Sequence, residues 1–542
     1  MRSAGTDGDD REVGVESTPA EATRAPDSID ADTADRHREN AAAAVGDSAT
    51  AGLRTLKIGL VAVVTLVAFE SLAVTTILPD IEDDLGGIAW YGWVTTAFFL
   101  GTMIGIVFAG DQADRRGAGV PYAIGLTLFA IGLLIGGAAP DMPVLVLGRF
   151  VQGFGAGVVP AIGYVAIGRA FDVAQRPRMF AILSTAWVVP GLVGPVVAER
   201  VADGVGWRWV FLGLLPLVVV AGTLVLPAMM RLGPVTGGTS QRVRFFRRRL
   251  VEATRVAAGA AVAVAGFTGD RVLLGPALVL GAVLATGPFR RLTPSGTLRA
   301  ARGLPAVILS RGVLTFAFFG LDAFVPFAIT NGRGLSTLVG SVAVTVVTVS
   351  WTSAAWIQDR WIVRLGEARF IRAGYCSLAM GIAVVALGAQ PDAVPYWLIH
   401  VGAVFGGFGM GLSYAAHTQL TLRSAPDEAV GSATASMQLS DNLGIALGTG
   451  VVGAIVAFGD DSGWAAGDAV AVAWMVPLSV ALAGIILVSR FAPSRAARET
   501  PGRAPGETSG ETSGETPGQA SGETSGESSP GLGPSESGML SP

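Results

Sequence analysis

The chain has almost nothing with which to perform covalent or metal chemistry. Among its 542 residues Cys376 is the one cysteine, so no disulfide can close within the chain and no thiolate cluster can hold a metal. The three histidines, His37, His400 and His417, show no ligand spacing. Lysine is reduced to Lys57, the remaining basic residues being arginine. Charge of either sign is scarce as well: 15% of residues are charged, where a soluble chain carries about 25%. These shortages exclude most enzyme classes, and no cofactor or metal is expected.

What is abundant is apolar. Half the residues, 51%, are hydrophobic and the mean hydropathy is +0.55. The hydrophobic residues form nearly uncharged runs long enough to cross a hydrocarbon core of roughly 30 Å. The chain reads as an all-α polytopic membrane protein. Its formal net charge of −4 hides a division. Acids collect in the tails and arginines stand beside the apolar runs, which leaves no basic face for a nucleic acid.

Residues 1–52 are rich in Asp, Glu, Ala, Thr and Arg without an apolar stretch, and read as a disordered tail, not a signal peptide. Spans are expected near 58–78, 90–110, 119–137, 142–167, 178–198 and 208–228, which make a first six-helix bundle within 53–230. A basic linker with Arg242, Arg244 and Arg247 to Arg249 and two further spans, near 251–268 and 271–288, occupy 231–303. A second bundle, 304–490, holds spans near 305–329, 334–357, 371–388, 395–418, 431–458 and 468–488. The inserted pair either crosses, for fourteen spans, or folds back as a re-entrant hairpin, for twelve. The tail 491–542 repeats Gly-Glu-Thr-Ser-Gly, as at 506–510 and 522–526, and reads as low-complexity and disordered.

Arginines alternate from loop to loop in the way that places both termini in the cytoplasm of a multi-pass protein of the inner, cytoplasmic membrane. The loops on the other side are short and hold acids such as Asp80, Glu82, Asp83, Asp84, Asp460 and Asp461. Function must therefore sit among the helices. A five-residue glycine pattern, Gly153 to Gly157 in the fourth span, recurs as Gly407 to Gly411 in the fourth span of the last six. Its equivalent placement suggests a duplicated bundle, the construction by which transporters build two gates around one site.

Five charges fall inside apolar runs: Glu70, Arg149, Arg311, Asp322 and Asp441. A lone charge at mid-membrane costs about 2.5–3.5 kcal/mol even on insertion scales, so each needs a partner, water or a proton. Counting about 1.5 Å per residue from the span ends places Glu70 about 13 Å deep and Arg149 and Asp322 about 10 Å deep, at one level. Arg311, close to its span's cytoplasmic end, is expected to snorkel. Glu70 and Asp322 are read as flanking a central cavity from opposite halves. A carboxyl group that loses water on closure holds a proton more tightly, and when open it attracts a cation; competition of the two at one group is the minimum physics of antiport. Arg149 is expected to hold a carboxylate or helix carbonyls beside that site. Asp441 reads either as a cavity residue nearer the inside or as part of a local hydrogen-bonded kink with Ser440 and Asn442.

Gly110, Asp114, Arg115, Arg116 and Gly117 mark a tight charged loop between the second and third spans. Asp114 is expected to meet the N-terminal dipole of the thirteenth span, a latch worth on the order of 1 kcal/mol. Pro190, Gly191, Gly194 and Pro195 are expected to bend the fifth span, with Trp187 beside the bend as a cavity residue.

These residues resemble the major facilitator superfamily, and within it the fourteen-span drug:proton antiporter family, over about 56–490. Gly110 to Gly117 is similar to the family's Gly-x-x-x-Asp-Arg-x-Gly-Arg-Arg, with Ala118 and Gly119 in place of the final basic pair. Arg149-Phe150-Val151-Gln152-Gly153 resembles its fourth-span Arg-x-x-Gln-Gly, whose arginine the family assigns to proton coupling. Phe69 to Pro79 resembles Leu-Asp-x-Thr-Ile-Val-Asn-x-Ala-Leu-Pro, with Glu70 standing for the Asp, Leu72 for the Thr and Thr75 for the Asn. Residues 190–199 resemble the antiporter motif, with Gly194-Pro195 intact and Pro190, Ala198 and Glu199 departing from it. The resemblance implies a monomeric, proton-coupled exporter of amphipathic, cationic drugs or lipophilic metabolites, working by alternating access. A carrier for one metabolite, peptide, siderophore or lipid is the alternative.

Overall fold

The computed structural model describes residues 27–172, 175, 179, 182–183, 186–233, 240–268, 271–390, 394–426 and 429–491, with 27–52, 111, 114, 240–246, 268 and 271 described in backbone alone. The first bundle comprises α1 (Asp27–Leu85), α2 (Tyr91–Arg116), α3 (Gly119–Gly137), α4 (Met142–Ala170), α5 (Val188–Val205) and α6 (Leu214–Arg231), the last preceded by a short helix, Arg208–Leu212. The inserted pair is α7 (Ser240–Thr268) and α8 (Arg271–Leu292). The second bundle comprises α9 (Leu304–Asp322), α10 (Thr337–Leu365), α11 (Glu367–Gly388), α12 (Trp397–Ser424), α13 (Val430–Asp461) and α14 (Met475–Leu487), the last preceded by Ala466–Ala473. Among the described residues thirteen helices are long and apolar enough to cross a membrane, and the all-α polytopic reading holds. The expected span 178–198 lies partly outside the described residues; α5 supplies its second part.

Three boundaries differ from expectation, each for a local reason. Helix α1 begins at Asp27, inside the segment read as a disordered tail, where a run rich in Ala, such as Ala41 to Ala44, has high helix propensity without needing an apolar stripe. Gly110 to Arg116 is helical, not a loop: α2 continues to Gly117, whose φ of 80° ends it, and Arg115 and Arg116 fall in the last turn, where cations suit the helix dipole. Pro190 falls in the first turn of α5, where no backbone donor is needed, so Pro195 alone interrupts that helix and the chain turns instead at Ala186 and Trp187.

The repeated glycines do equivalent work in the two bundles. In α4, Gly153 and Gly157 lie against the carbonyls of Phe98 and Thr102 of α2, while Gly155 lies against Gly125 and Phe129 of α3. In α12, Gly407 and Gly411 lie against the carbonyls of Val347 and Trp351 of α10, while Gly409 lies against Gly374 and Leu378 of α11. Each fourth helix thus wedges between the second and third of its own half, with backbones in contact. A Cβ at Gly407 would strike the Val347 carbonyl, whereas one at Gly168 would meet nothing. Gly407→Ala is therefore expected to lower stability by about 1–3 kcal/mol. Gly168→Ala should be neutral or slightly stabilising, since Ala is the better helix former. Thermal unfolding in detergent reads both; equal midpoints would contradict the packing argument.

The halves meet along two seams. At one, Gly191 of α5 faces Thr348 of α10. At the other, Gly92 of α2 faces Gly453 of α13, and Thr96 donates to the Ala446 carbonyl at 3.0 Å and lies 3.0 Å from the Thr449 hydroxyl. Beyond them, at the end of the molecule carrying the acidic loops, Thr337 donates to Asp80 at 2.6 Å and Tyr91 packs against Phe324 and Phe327, with ring centroids 5.1 and 5.2 Å away. These contacts hold the acidic end shut.

Helices α7 and α8 are each continuous and, by length and composition, long and apolar enough to cross a membrane. Ala253, Val256, Ala257 and Ala260 of α7 join Leu100 and Met103 of α2 and Leu439 and Ala446 of α13 in one apolar cluster. The inserted pair therefore covers the seam between α2 and α13.

Candidate functional site

Two buried ion pairs occupy the interior, one in each half, and they are built differently. In the first half Arg149 projects from α4 toward α1 and α2. Its Nη1 donates to Glu70 Oε1 of α1 and, at 2.7 Å, to Gln152 Oε1 one turn along α4; its Nε donates to the Val94 carbonyl of α2 at 3.4 Å. The guanidinium carbon lies 4.3 Å from the centroid of the Phe98 ring. Arg149 thus has both kinds of partner expected of it, a carboxylate and a helix carbonyl. The three polar side chains are buried, yet Glu70 Oε2 and Gln152 Nε2 have no hydrogen-bond partner. A charged pair withdrawn from water ordinarily satisfies its remaining lone pairs and protons. This one keeps an acceptor and a donor free.

In the second half Arg311 of α9 donates through Nε to Asp441 Oδ1 of α13 at 2.7 Å and through Nη1 to the Tyr414 carbonyl of α12 at 2.6 Å. The Tyr414 hydroxyl donates to Asp441 Oδ2 at 3.2 Å, and the Tyr414 ring centroid lies 3.1 Å from the guanidinium carbon. Both Asp441 oxygens are engaged. This corrects the expectation that Arg311 snorkels: it is 1% exposed and paired. The partners of the Asp441 carboxylate are thus Arg311 and Tyr414, while the neighbouring Asn442 donates to the Gln438 carbonyl at 2.8 Å. One turn of chemistry away, His417 is not isolated, since its Nε2 lies 3.0 Å from Ser310 Oγ and its Nδ1 2.9 Å from the Ser413 carbonyl.

Asp322 stands apart from both pairs. It is the last residue of α9, where the helix gives way to a turn before Val325–Phe327 and a wide-turned segment, Ala328–Gly332. It is buried and its Oδ1 has no hydrogen-bond partner. A helix C-terminus carries negative partial charge, so a carboxylate there is stabilised only by a cation or proton brought to it. The eleven-residue spacing from Arg311 to Asp322 is close to three full turns, which sets Arg311, Phe318 and Asp322 along one face of α9. Asp322 on α9 and Glu70 on α1 stand in opposite halves, and among the described residues no hydrogen bond joins them.

What connects the halves is aromatic. From Arg149 a chain of ring contacts passes through Phe98 and Phe99 at 5.4 Å, Phe99 and Phe319 at 5.8 Å, Phe319 and Phe318 at 5.1 Å, Phe318 and Trp351 at 5.4 Å, and Trp351 and Tyr414 at 5.5 Å, ending at Arg311. The step from Phe99 of α2 to Phe319 of α9 crosses from one half to the other. Phe99, Phe319, Trp351 and Tyr414 are half-buried, so part of each ring faces open space. Phe98-Phe99 and Phe318-Phe319 are visible as doublets in the sequence, and that repetition is the signal that could have marked them.

The remaining expected residues are placed as follows. Gly117 lies against Leu232 and Gly233 beyond α6, and Arg169 of α4 donates to the Gly233 carbonyl at 3.1 Å, so the end of α2 is braced within its own half. The side chain of Asp114, on which the expected latch depends, lies outside the described residues. Gly194 approaches Phe69 of α1 and Gly191 approaches Thr348, so the fifth-span glycines pack α5 against both halves. Trp187 is exposed and not enclosed with the ion pairs.

Comparison with known proteins agrees with this architecture. The profile of the Major Facilitator Superfamily matches residues 60–449. A probable multidrug-efflux transporter of Mycobacterium tuberculosis is 26% identical over 417 residues, covering 72% of this chain and 85% of that protein. A multidrug transporter protein of Bacillus subtilis is 24% identical over 419 residues, covering 74% of this chain and 75% of that protein. Among solved structures, an auto-inhibited peptide transporter of the POT family superposes with a TM-score of 0.59 at 16% identity, over 81% of this chain and 98% of that one. A D-xylose-proton symporter superposes with a TM-score of 0.58 at 13% identity, over 81% and 98%.

Proposed function

We infer that this chain, which belongs to the Major Facilitator Superfamily, exchanges protons for amphipathic organic cations and exports them by alternating access. It is a membrane transporter and not an enzyme. The observation that carries the finer reading is Asp322, a buried carboxyl group in an apolar span whose Oδ1 has no hydrogen-bond partner among the described residues. A group in that position is stable when it holds a proton or faces a cation, and the two exclude each other. Glu70 Oε2, left free beside Arg149, gives the first half a second, weaker acceptor. The arginine-bearing end is assigned to the cytoplasm by the charge bias of the loops. The similarity to a probable multidrug-efflux transporter supports the export direction, and that to a multidrug transporter protein supports a broad substrate range.

Half-buried rings strung between the two buried ion pairs suit a flat cation, which gains from the ring faces as well as from a carboxylate. Phe319→Ala removes the ring that crosses between the halves. It is expected to weaken an aromatic cation by about 0.5–1.5 kcal/mol, roughly two- to tenfold. Binding of ethidium followed by its fluorescence reads this; unchanged affinity would remove the rings from the substrate site.

The function is tested with inverted vesicles under an imposed pH gradient, comparing ethidium with a neutral lipophilic drug. The expected result is uptake of ethidium that collapses when the gradient is dissipated. Uptake indifferent to the gradient would refute proton coupling, and a preference for the neutral compound would refute the cation selectivity.

A further inference from the structure

The inserted pair carries a charge arrangement that the transport reading leaves unused. Because α7 and α8 run antiparallel, the start of α7 and the end of α8 lie at the same end, where Arg247, Arg248, Arg249, Arg255, Arg290 and Arg291 are found among the described residues. One buried acid organises them. Glu252 Oε1 accepts from Arg291 at 2.8 Å, Arg248 lies 4.0 Å from the same oxygen, and Arg255 lies 3.9 Å from Oε2. A single carboxylate cannot neutralise so many guanidinium groups, and Arg247, Arg248 and Arg290 are exposed.

The surface below these arginines is apolar and exposed. Val272, Val279 and Val283 of α8 face away from the protein, while Gly281 on its opposite side meets Gly259 of α7. Val272, Val279, Val283 and Arg290 are spaced by seven, four and seven residues, so they form one stripe along α8 with the arginine at its end. From Val279 to Arg290 the stripe runs about 16 Å, the thickness of one hydrocarbon leaflet. An acyl chain lying on the valines puts its phosphate at the guanidinium groups.

We propose that the basic end of the α7–α8 pair binds one anionic phospholipid, its phosphate between Arg290 and Arg247–Arg248 and one acyl chain along Val283 and Val279. The pair also covers the α2–α13 seam.

The test is native mass spectrometry of the detergent-purified full chain with added phosphatidylglycerol, against phosphatidylcholine and against soluble glycerol 3-phosphate. An arginine near a lipid surface is worth about fivefold in affinity. Phosphatidylglycerol is therefore expected to be retained at least about tenfold more tightly than phosphatidylcholine, and the R247Q/R248Q/R290Q variant to lose that difference. Arg200→Gln, at the opposite end, should behave as wild type. If the triple variant does not fold, Arg290→Gln alone must lose about fivefold. Equal retention of the two lipids, undiminished selectivity in the variants, or displacement of the lipid by glycerol 3-phosphate would overturn the proposal.

Discussion

Asp322→Asn is expected to leave the protein folded and to reduce gradient-driven cation efflux to that of vesicles without it. Among the described residues Asp322 Oδ1 has no hydrogen-bond partner to lose, so the thermal midpoint of the variant should stay close to that of wild type. What it removes is the ability to alternate between a proton and a cation. Downhill binding of a neutral compound, which needs no such exchange, should survive. Glu70→Gln is the informative companion: it keeps an oxygen for Arg149 but discharges the pair, leaving a buried cation uncompensated. Its loss of flux should therefore come with a loss of stability. If Asp322→Asn transports as wild type while Glu70→Gln does not, the proton site lies in the first half and the assignment given to Asp322 is wrong.

The second large effect concerns the other pair. Asp441→Ala strands Arg311, buried to 1% exposure, without its carboxylate. Breaking a buried pair from one side costs about 3–5 kcal/mol, and the variant should express poorly and unfold at a markedly lower temperature. Replacing both residues, as R311M/D441L, removes the stranded charge together with its partner and should recover most of the loss. The comparison separates a structural pair from a transporting one. Recovery of stability with retained flux fits the closed network around Tyr414, in which both Asp441 oxygens are engaged. Recovery of stability without flux would place Asp441 in the transport cycle after all.

The apolar framework was legible because hydrophobic length is a local property. The third span, expected at 119–137, is α3 at Gly119–Gly137, and the fourth opens at Met142 behind Asp141, whose side chain caps Val144. The glycine repeat was legible too, since close helix approach admits no other residue at those carbonyls. Pairings were not. Arg311 and Asp441 are 130 residues apart, and depth counted along one helix cannot reveal an acid on another; a short distance to the span end made snorkelling the simpler inference. The depth given to Glu70 assumed that α1 ends at Pro79, whereas it continues to Leu85 through a proline that a helix of this length tolerates. Levels inferred from spans therefore drift by several residues. The aromatic chain between the halves was hidden because its rings lie on four helices and come together only through the fold.

The central claim is that a proton and a cationic substrate compete for one buried carboxyl group, and it is tested by measuring proton release on substrate binding. Purified protein in weakly buffered detergent solution, with a pH-sensitive dye, should release protons when ethidium is added, and Asp322→Asn should bind ethidium more weakly and release none. Ethidium binding to the wild type without proton release, or undiminished release from Asp322→Asn, would contradict the account.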